Sequence, residues 1–144
     1  IAVMSRCSHG VLACDGDDNY PYAVPLNYVF INNKIYFHCA REGHKIDAIM
    51  KNPKVSFAVV DEDRIVSEEY TSYFRSVIAF GRARIVEGDE RLDAFRALVE
   101  KYSGDRPEEE KQKEISRCNH SYIIAIDIEH MTGKESIELV RMRI

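Results

Sequence analysis

The alternation from Ser72 to Glu87, SYFRSVIAFGRARIVE, constrains this chain more than any other stretch. A side-chain period of two is that of a β-strand. Val77, Ala79, Gly81, Ala83 and Ile85 fall on one face, and Ile78, Phe80, Arg82 and Arg84 on the other. The first set is mostly small, which suits the inside of a tight barrel. His120 to Glu129 alternates again, with Tyr122, Ile124, Ile126 and Ile128 on one side. Gly10 to Asp15, Lys34 to Ala40 and Lys54 to Asp61 are further strands. Pro21 to Ile31 is rich in aromatic and β-branched residues and reads as one strand, with Pro25 marking an edge or bulge. Asp15 to Asn19 is a turn, and Asn32–Asn33 closes a hairpin, since Asn tolerates positive φ.

The period changes at Gly43 to Asn52, where Ile46, Ile49 and Met50 share a helical face ahead of Pro53. Gly88 to Tyr102 predicts the longest helix, with Leu92, Phe95, Leu98, Val99 and Tyr102 as its buried stripe. Glu108 to Ile115 follows Pro107 as a short helix. The polar run Asp61 to Ser72 reads as a long loop, and Ser136 to Ile144 as a last strand. About seven strands with short hairpin links predict a mostly β fold, an antiparallel sheet closed into a barrel with accessory helices.

A length of 144 residues predicts a single domain over 1–144. Because the chain starts with Ile1, we expect a truncated N-terminus. The net charge of −4 argues against nucleic-acid binding, although one basic pocket for a phosphate remains compatible with it. Apolar runs such as Val55 to Val60 fall far short of the roughly 20 residues of a membrane span. With no signal-peptide pattern, the expected location is the cytoplasm, away from membranes. Cys7, Cys14, Cys39 and Cys118 lack CxxC spacing and are expected to be free thiols in a reducing compartment.

Candidate chemistry concentrates between Pro25 and Ile49. A strand runs directly through Ala40-Arg41-Glu42-Gly43 into a helix. A helix start offers unpaired N–H groups and a positive dipole end, which favour an anion. His44 and Lys45 place cations in that first turn, against the dipole. Two readings stand: a phosphate lies between them, or Lys45 is simply solvated. His38, on a strand face with Tyr36 and Ala40, is either structural or a proton donor beside that turn. The Cys and His residues lack zinc-ligand spacing, so no metal is expected. Nucleophile-elbow, GxGxxG and P-loop motifs are absent.

The segments VPLNYVFINNKIYFHCAREGHKIDAIMKNPKVSFAVV (Val24 to Val60) and YFRSVIAFGRARIV (Tyr73 to Val86) resemble the pyridoxamine 5′-phosphate oxidase-like FMN-binding split-barrel family. Within it they look most like the nitroimidazole-resistance branch. The resemblance implies a six-stranded antiparallel split barrel and a homodimer with FMN in two clefts between subunits. It implies that the backbone of Leu26, Asn27 and Tyr28 runs along the flavin ring, and that Phe37, His38, Cys39 and Ala40 line it. His44 and Lys45 would hold the phosphate, and Arg75 and Ser76 would reach the cofactor from the long strand. Phe74 stands where many relatives have Tyr, which removes a hydroxyl; the C-terminal Trp and Arg elements that pyridoxamine phosphate oxidases use for substrate are not evident, and the chain has no Trp, which argues against vitamin B6 oxidation.

The implied activity is an FMN-dependent oxidoreductase. It would pass electrons from a reduced nicotinamide or another donor to a small acceptor such as a nitroaromatic, with His38 as the catalytic residue. The alternatives are a haem-binding or haem-degrading split barrel and a non-catalytic flavin carrier. FAD and haem are the alternative cofactors.

Overall fold

A computed structural model describes residues 1–117 and 121–142. Cys118, His120 and the last two positions therefore lie outside the described residues. Seven antiparallel strands form one sheet: β1 (His9–Asp15), β2 (Pro21–Asn27), β3 (Val29–Ile31), β4 (Lys34–Ala40), β5 (Lys54–Val66), β6 (Thr71–Val86) and β7 (Ser121–Glu135). The helices are α1 (Ala2–Arg6), α2 (His44–Lys51), α3 (Gly88–Ser103), α4 (Glu108–Ser116) and α5 (Ile137–Met142). The strand order is β2-β1-β5-β6-β7-β4-β3. The two edge strands are thus neighbours in the chain, separated only by Tyr28, so the sheet must curl until its edges approach each other.

The expected mostly β, antiparallel architecture with accessory helices holds, but the expected closure of the sheet and the count of six strands do not. The sheet has seven strands, and no ladder joins β2 to β3. Six is recovered only by counting Pro21–Ile31 as one bent strand, and that strand breaks at Tyr28. The break has a local cause. The Tyr28 ring is fully buried, with its centroid 5.0 Å from that of Phe57. Its hydroxyl donates to the Met4 carbonyl at 2.6 Å. Its N–H donates to the Tyr102 hydroxyl at 3.0 Å, and its carbonyl accepts from Lys101 Nζ at 2.9 Å. The backbone groups a ladder would use are satisfied by α3 instead.

Three further expectations are corrected. Asp61 to Ser72 is not a long loop: after a bulge at Val60/Glu62, β5 pairs with β6 from Glu62–Arg75 through Val66–Thr71. A polar stretch carries little strand periodicity of its own, and here the partner strand imposes the ladder. The described part of Ser136 to Ile144 is the helix α5, with Leu139 buried, rather than a strand. Met50 is 67% exposed, while Ile46, Ala48 and Ile49 are the buried residues of α2. That two-turn helix is rotated toward Ala48, carrying Met50 off the core.

Other expectations hold. Asn32 and Asn33 adopt φ of 53° and 60°, as a tight hairpin of matching twist demands. On β6, Val77, Ala79, Gly81 and Ala83 face inward, and Ile78 and Phe80 outward. Gly81 sits beside a bulge against β7, and a Cβ there would come within 2.3 Å of the Asp127 carbonyl oxygen. No side chain fits that approach.

The sheet has two apolar layers. Inside the curl, Leu12, Phe37, Phe57, Val59, Ile124 and Ile126 form the main core. Outside β4 and β7, Tyr36, Ile123 and Ala125 pack under Phe95 and Leu98 of α3. Glu90 in the first turn of α3 pins this second layer. It takes two Arg84 N–H bonds at 2.8 Å and the Tyr36 hydroxyl at 2.7 Å, and Arg84 also reaches Asp127. Arg84 foremost, then Tyr36, lowers the Glu90 carboxyl to about 2. Cys7, Cys14 and Cys39 are free thiols. Among the described residues no helix is long and apolar enough to cross a membrane.

Candidate functional site

Strand β4 sorts its residues by alternation. Phe37 and Cys39 point into the main core and are buried, while His38 and Ala40 are exposed on the opposite side. His38 opens into a crevice of about 170 Å³ that it shares with Asn27 at the end of β2, and with Phe95, Tyr102 and Glu114 of the helical layer. Leu26 is half-buried against the main core. Tyr28 is buried, and its backbone is already engaged by α3.

Beyond Ala40 the chain turns at Gly43, whose φ is 134° and ψ 174°. A side chain would be strained there, although a Cβ would meet nothing within 4 Å. The constraint is therefore conformational, and the turn is open. Gly43 caps α2 through its carbonyl, which accepts the Asp47 N–H at 3.1 Å. No side chain caps the helix start, so the first N–H groups of α2 are unclaimed by any cap. Lys45 is half-buried there and has no hydrogen-bond or ion-pair partner among the described residues. Burial pushes the Cys39 and Cys14 thiols up, and the nearby Lys45 charge pulls both partly back. His44 turns the other way: its Nε2 lies 3.1 Å from Asp17 Oδ2, and its ring centroid is 5.3 Å from that of Tyr22.

Arg75 is differently placed. It donates to Asp61 at 2.8 Å and to Glu135 at 3.0 Å. Asp61 also accepts from Arg6 and from the Cys7 thiol. Arg6, then Arg75, holds the Asp61 carboxyl well below the usual carboxylate range. Ser76 is half-buried on the outer face of β6, opposite Val60. The fold thus gathers Asn27 with His38, turns His44 away from Lys45 toward Asp17, and leaves Arg75 and Ser76 on the β5–β6 hairpin.

Three features escaped the sequence reading. One is the Arg6–Asp61–Arg75–Glu135 network, whose members are far apart in the chain. Another is the outer face of β1, β5 and β6, where Ala13, Ser56, Phe80 and His130 line a groove of about 510 Å³. The exposed Val60, Ile78 and Phe80 lie on this face. The third is a cavity of about 370 Å³ beside His44, built from the turn after β1. The juxtaposed acids and tyrosines of Asp17 to Tyr22 were its only signal, and they read equally well as a turn. Among the described residues, no three His, Cys, Asp or Glu side chains converge to hold a metal ion.

The family model of pyridoxamine 5′-phosphate oxidase matches residues 1–135. Solved structures of the same fold include a conserved hypothetical protein, Rv2991, from Mycobacterium tuberculosis, with a TM-score of 0.80 at 24% identity over 96% of this chain and 84% of that one. A proposed 5-nitroimidazole antibiotic resistance protein from Bacteroides thetaiotaomicron aligns with a TM-score of 0.74 at 19% identity, over 92% of this chain and 79% of the other. A FAD-binding protein from Mesorhizobium loti gives 0.62 at 23% identity, over 94% and 91%. No curated protein matches the chain. At these identities the structural likenesses speak for the fold. The match of the family model over nearly the whole length carries the assignment: the chain belongs to the pyridoxamine 5′-phosphate oxidase family.

Proposed function

We propose that the protein is a flavin-nucleotide oxidoreductase, with FMN the smallest cofactor that meets its contacts, working on a small acceptor such as a nitroaromatic. One observation carries the reading. The uncapped start of α2 holds a cation, Lys45, that has no partner among the described residues, just beyond a strand that exposes His38. Open N–H groups and a nearby cation suit a phosphate, and Gly43 lets it approach the backbone. A relative described as FAD-binding and one described as a nitroimidazole resistance protein support the cofactor and acceptor classes.

A bound flavin would supply the redox chemistry; the protein binds and orients it. In this reading the helix start and Lys45 hold the phosphate. Asn27 and His38 face the crevice where an acceptor would stand, with the imidazole as hydrogen-bond or proton donor. General acid help of that kind contributes about 10²–10⁴ in rate. The remaining wall comes from a second copy of the chain. The exposed Val60, Ile78 and Phe80 support a homodimer through the outer face of β5 and β6, since such contiguous apolar faces mark interfaces.

The test is the absorption spectrum and mass of whatever co-purifies, followed by turnover with reduced nicotinamide and a nitroaromatic. A flavin spectrum with acceptor reduction is expected. An intense Soret band would move the protein to haem chemistry, and a bound flavin without turnover would make it a carrier. Light scattering is expected to report a dimer, and a monomer at micromolar concentration would remove the two-chain site.

A further inference from the structure

The crevice beside His38 exists because a ladder stops. β3 pairs with β4 from Ile31–Lys34 to Val29–Tyr36. Carried further, the same register would set Asn27 against His38 and leave no gap between them. Instead the chain breaks at Tyr28, and Asn27 ends β2 as the partner of His9 on β1. Asn27 and His38 then both line a crevice of about 170 Å³.

The last turn of α3 holds this break. The Tyr102 hydroxyl accepts the Tyr28 N–H at 3.0 Å and also bonds the Ser8 carbonyl. It therefore ties the residues that flank the terminal His9–Asn27 pair on both strands. Lys101 Nζ donates to the Tyr28 carbonyl at 2.9 Å and lies 3.9 Å from the centre of the Tyr28 ring. Burial lowers the Lys101 ammonium from its ordinary value, and no carboxylate pairs with it among the described residues. A half-buried cation without a counter-charge is costly to keep; its contacts here are the backbone and ring of one residue, the residue next to Asn27. The two side chains differ in placement. The Tyr102 ring lines the crevice beside Phe95 and Leu98, whereas Lys101 is no part of its wall.

We infer that Lys101 and Tyr102 are positioning residues for the electron acceptor: by engaging the backbone of Tyr28 they hold Asn27 apart from His38 and keep the crevice open. The inference rests on the oxidoreductase reading above and deepens it, because α3 rather than the sheet then sets one wall of the acceptor site. The volume is below the usual small-molecule range of about 300–1,000 Å³, so the crevice takes a single small ring.

The experiment combines steady-state kinetics of the flavin-loaded protein, with reduced nicotinamide and a 5-nitroimidazole, and hydrogen exchange of the Tyr28 amide in flavin-free protein. Tyr102→Phe keeps the ring in the crevice wall and removes the hydroxyl. Lys101→Met removes the ammonium without touching that wall. Each is expected to raise the acceptor KM about five- to tenfold, the worth of one hydrogen bond to the acceptor, with kcat within about twofold of wild type. The Tyr28 amide is expected to exchange about tenfold faster in Tyr102→Phe, since its bond is lost. Asn27→Ala is expected to raise KM by a similar factor. Adding Tyr102→Phe to it should raise KM no further, because residues that act through one contact are not additive. A clamp that only stabilised the fold would lower the melting temperature and the active fraction, hence apparent kcat, and leave KM alone; that result would overturn the inference. So would additive effects of Asn27→Ala and Tyr102→Phe, or an unchanged Tyr28 exchange rate. Wild type that takes up a flavin but reduces no acceptor would instead remove the oxidoreductase reading, and the inference with it.

Discussion

Lys45 and Arg75 are both cationic side chains that the family resemblance marks as cofactor contacts, yet the fold treats them in opposite ways. Lys45 stands at an uncapped helix start with no partner among the described residues. Arg75 is held between Asp61 and Glu135, with Arg6 on the far side of Asp61. A half-buried charge without a partner is costly unless something else binds it. A charge with two carboxylates is already accounted for inside the chain. The difference is why the proposed anion site is placed on the β4–α2 segment, whereas the start of β6 holds the β5–β6 hairpin to β7 and α1.

The largest effect that would break the comparison concerns His38, on the exposed side of β4. His38→Ala is expected to keep its flavin and its melting temperature while losing about 10²-fold or more in acceptor turnover. If flavin content and melting temperature fell together with activity, the histidine would belong to the scaffold, as Arg75 does. Full activity in a flavin-loaded variant would remove it from the mechanism.

Next in size is Lys45→Glu. It replaces an attraction with a repulsion at the proposed phosphate, so FMN affinity should fall more than about tenfold. The thermal midpoint of the flavin-free protein should stay nearly unchanged, because Lys45 makes no hydrogen bond or ion pair among the described residues. Wild-type affinity in this variant would refute the phosphate assignment.

Arg75→Ala sharpens the contrast from the other side. The flavin-free protein is expected to melt a few degrees lower, as Asp61 and Glu135 lose their shared partner. Flavin affinity is expected to change by less than about threefold, a small loss beside that of a direct charged contact. A loss as large as that of Lys45→Glu would place the guanidinium on the cofactor as well.

The smallest effect is the acid side of stability. Glu90 is held at about 2, below its ordinary 4.5, chiefly by Arg84. A carboxyl lowered in the folded state contributes stability above its unfolded value, and loses it as pH falls through the folded one. That contribution should fade between about pH 4.5 and 2. Its size is under about 1 kcal/mol, because the pair is more than a third exposed and screened by solvent. Glu90→Gln should flatten this part of a pH–stability curve, and an unchanged curve would show that the Arg84 pair contributes nothing. Asp61 titrates with the same sign, held low by Arg6 and Arg75.

Much of the candidate site is legible residue by residue. Gly43 before His44 and Lys45 announces a turn and a helix start, and the turn does adopt a backbone that favours glycine. The alternation of Lys34 to Ala40 separates Phe37 and Cys39 from His38 and Ala40, and the burial follows that pattern. What could not be read is contact between distant segments. The break at Tyr28 depends on Lys101 and Tyr102, more than seventy positions away. The strand from Glu62 to Val66 exists because Thr71 to Arg75 pairs with it, although its own residues are polar.

The sequence by itself determined the features set by a few adjacent residues. These are the inward small face of β6, the Asn32–Asn33 hairpin, the amphipathic α3 and the open start of α2. Each follows from side-chain period or backbone preference, which act over one or two turns of chain. Only the tertiary structure decided that Arg75 is spent on Asp61 and Glu135, that Asp17 faces His44 across a cavity, and that Pro21 to Ile31 divides between the two edges of the sheet. The physical reason is the strand order. It sets β5, β6 and β7 side by side and brings β1 against β5, so these ion pairs and cavity walls join residues whose separation in sequence carries no signal of their meeting.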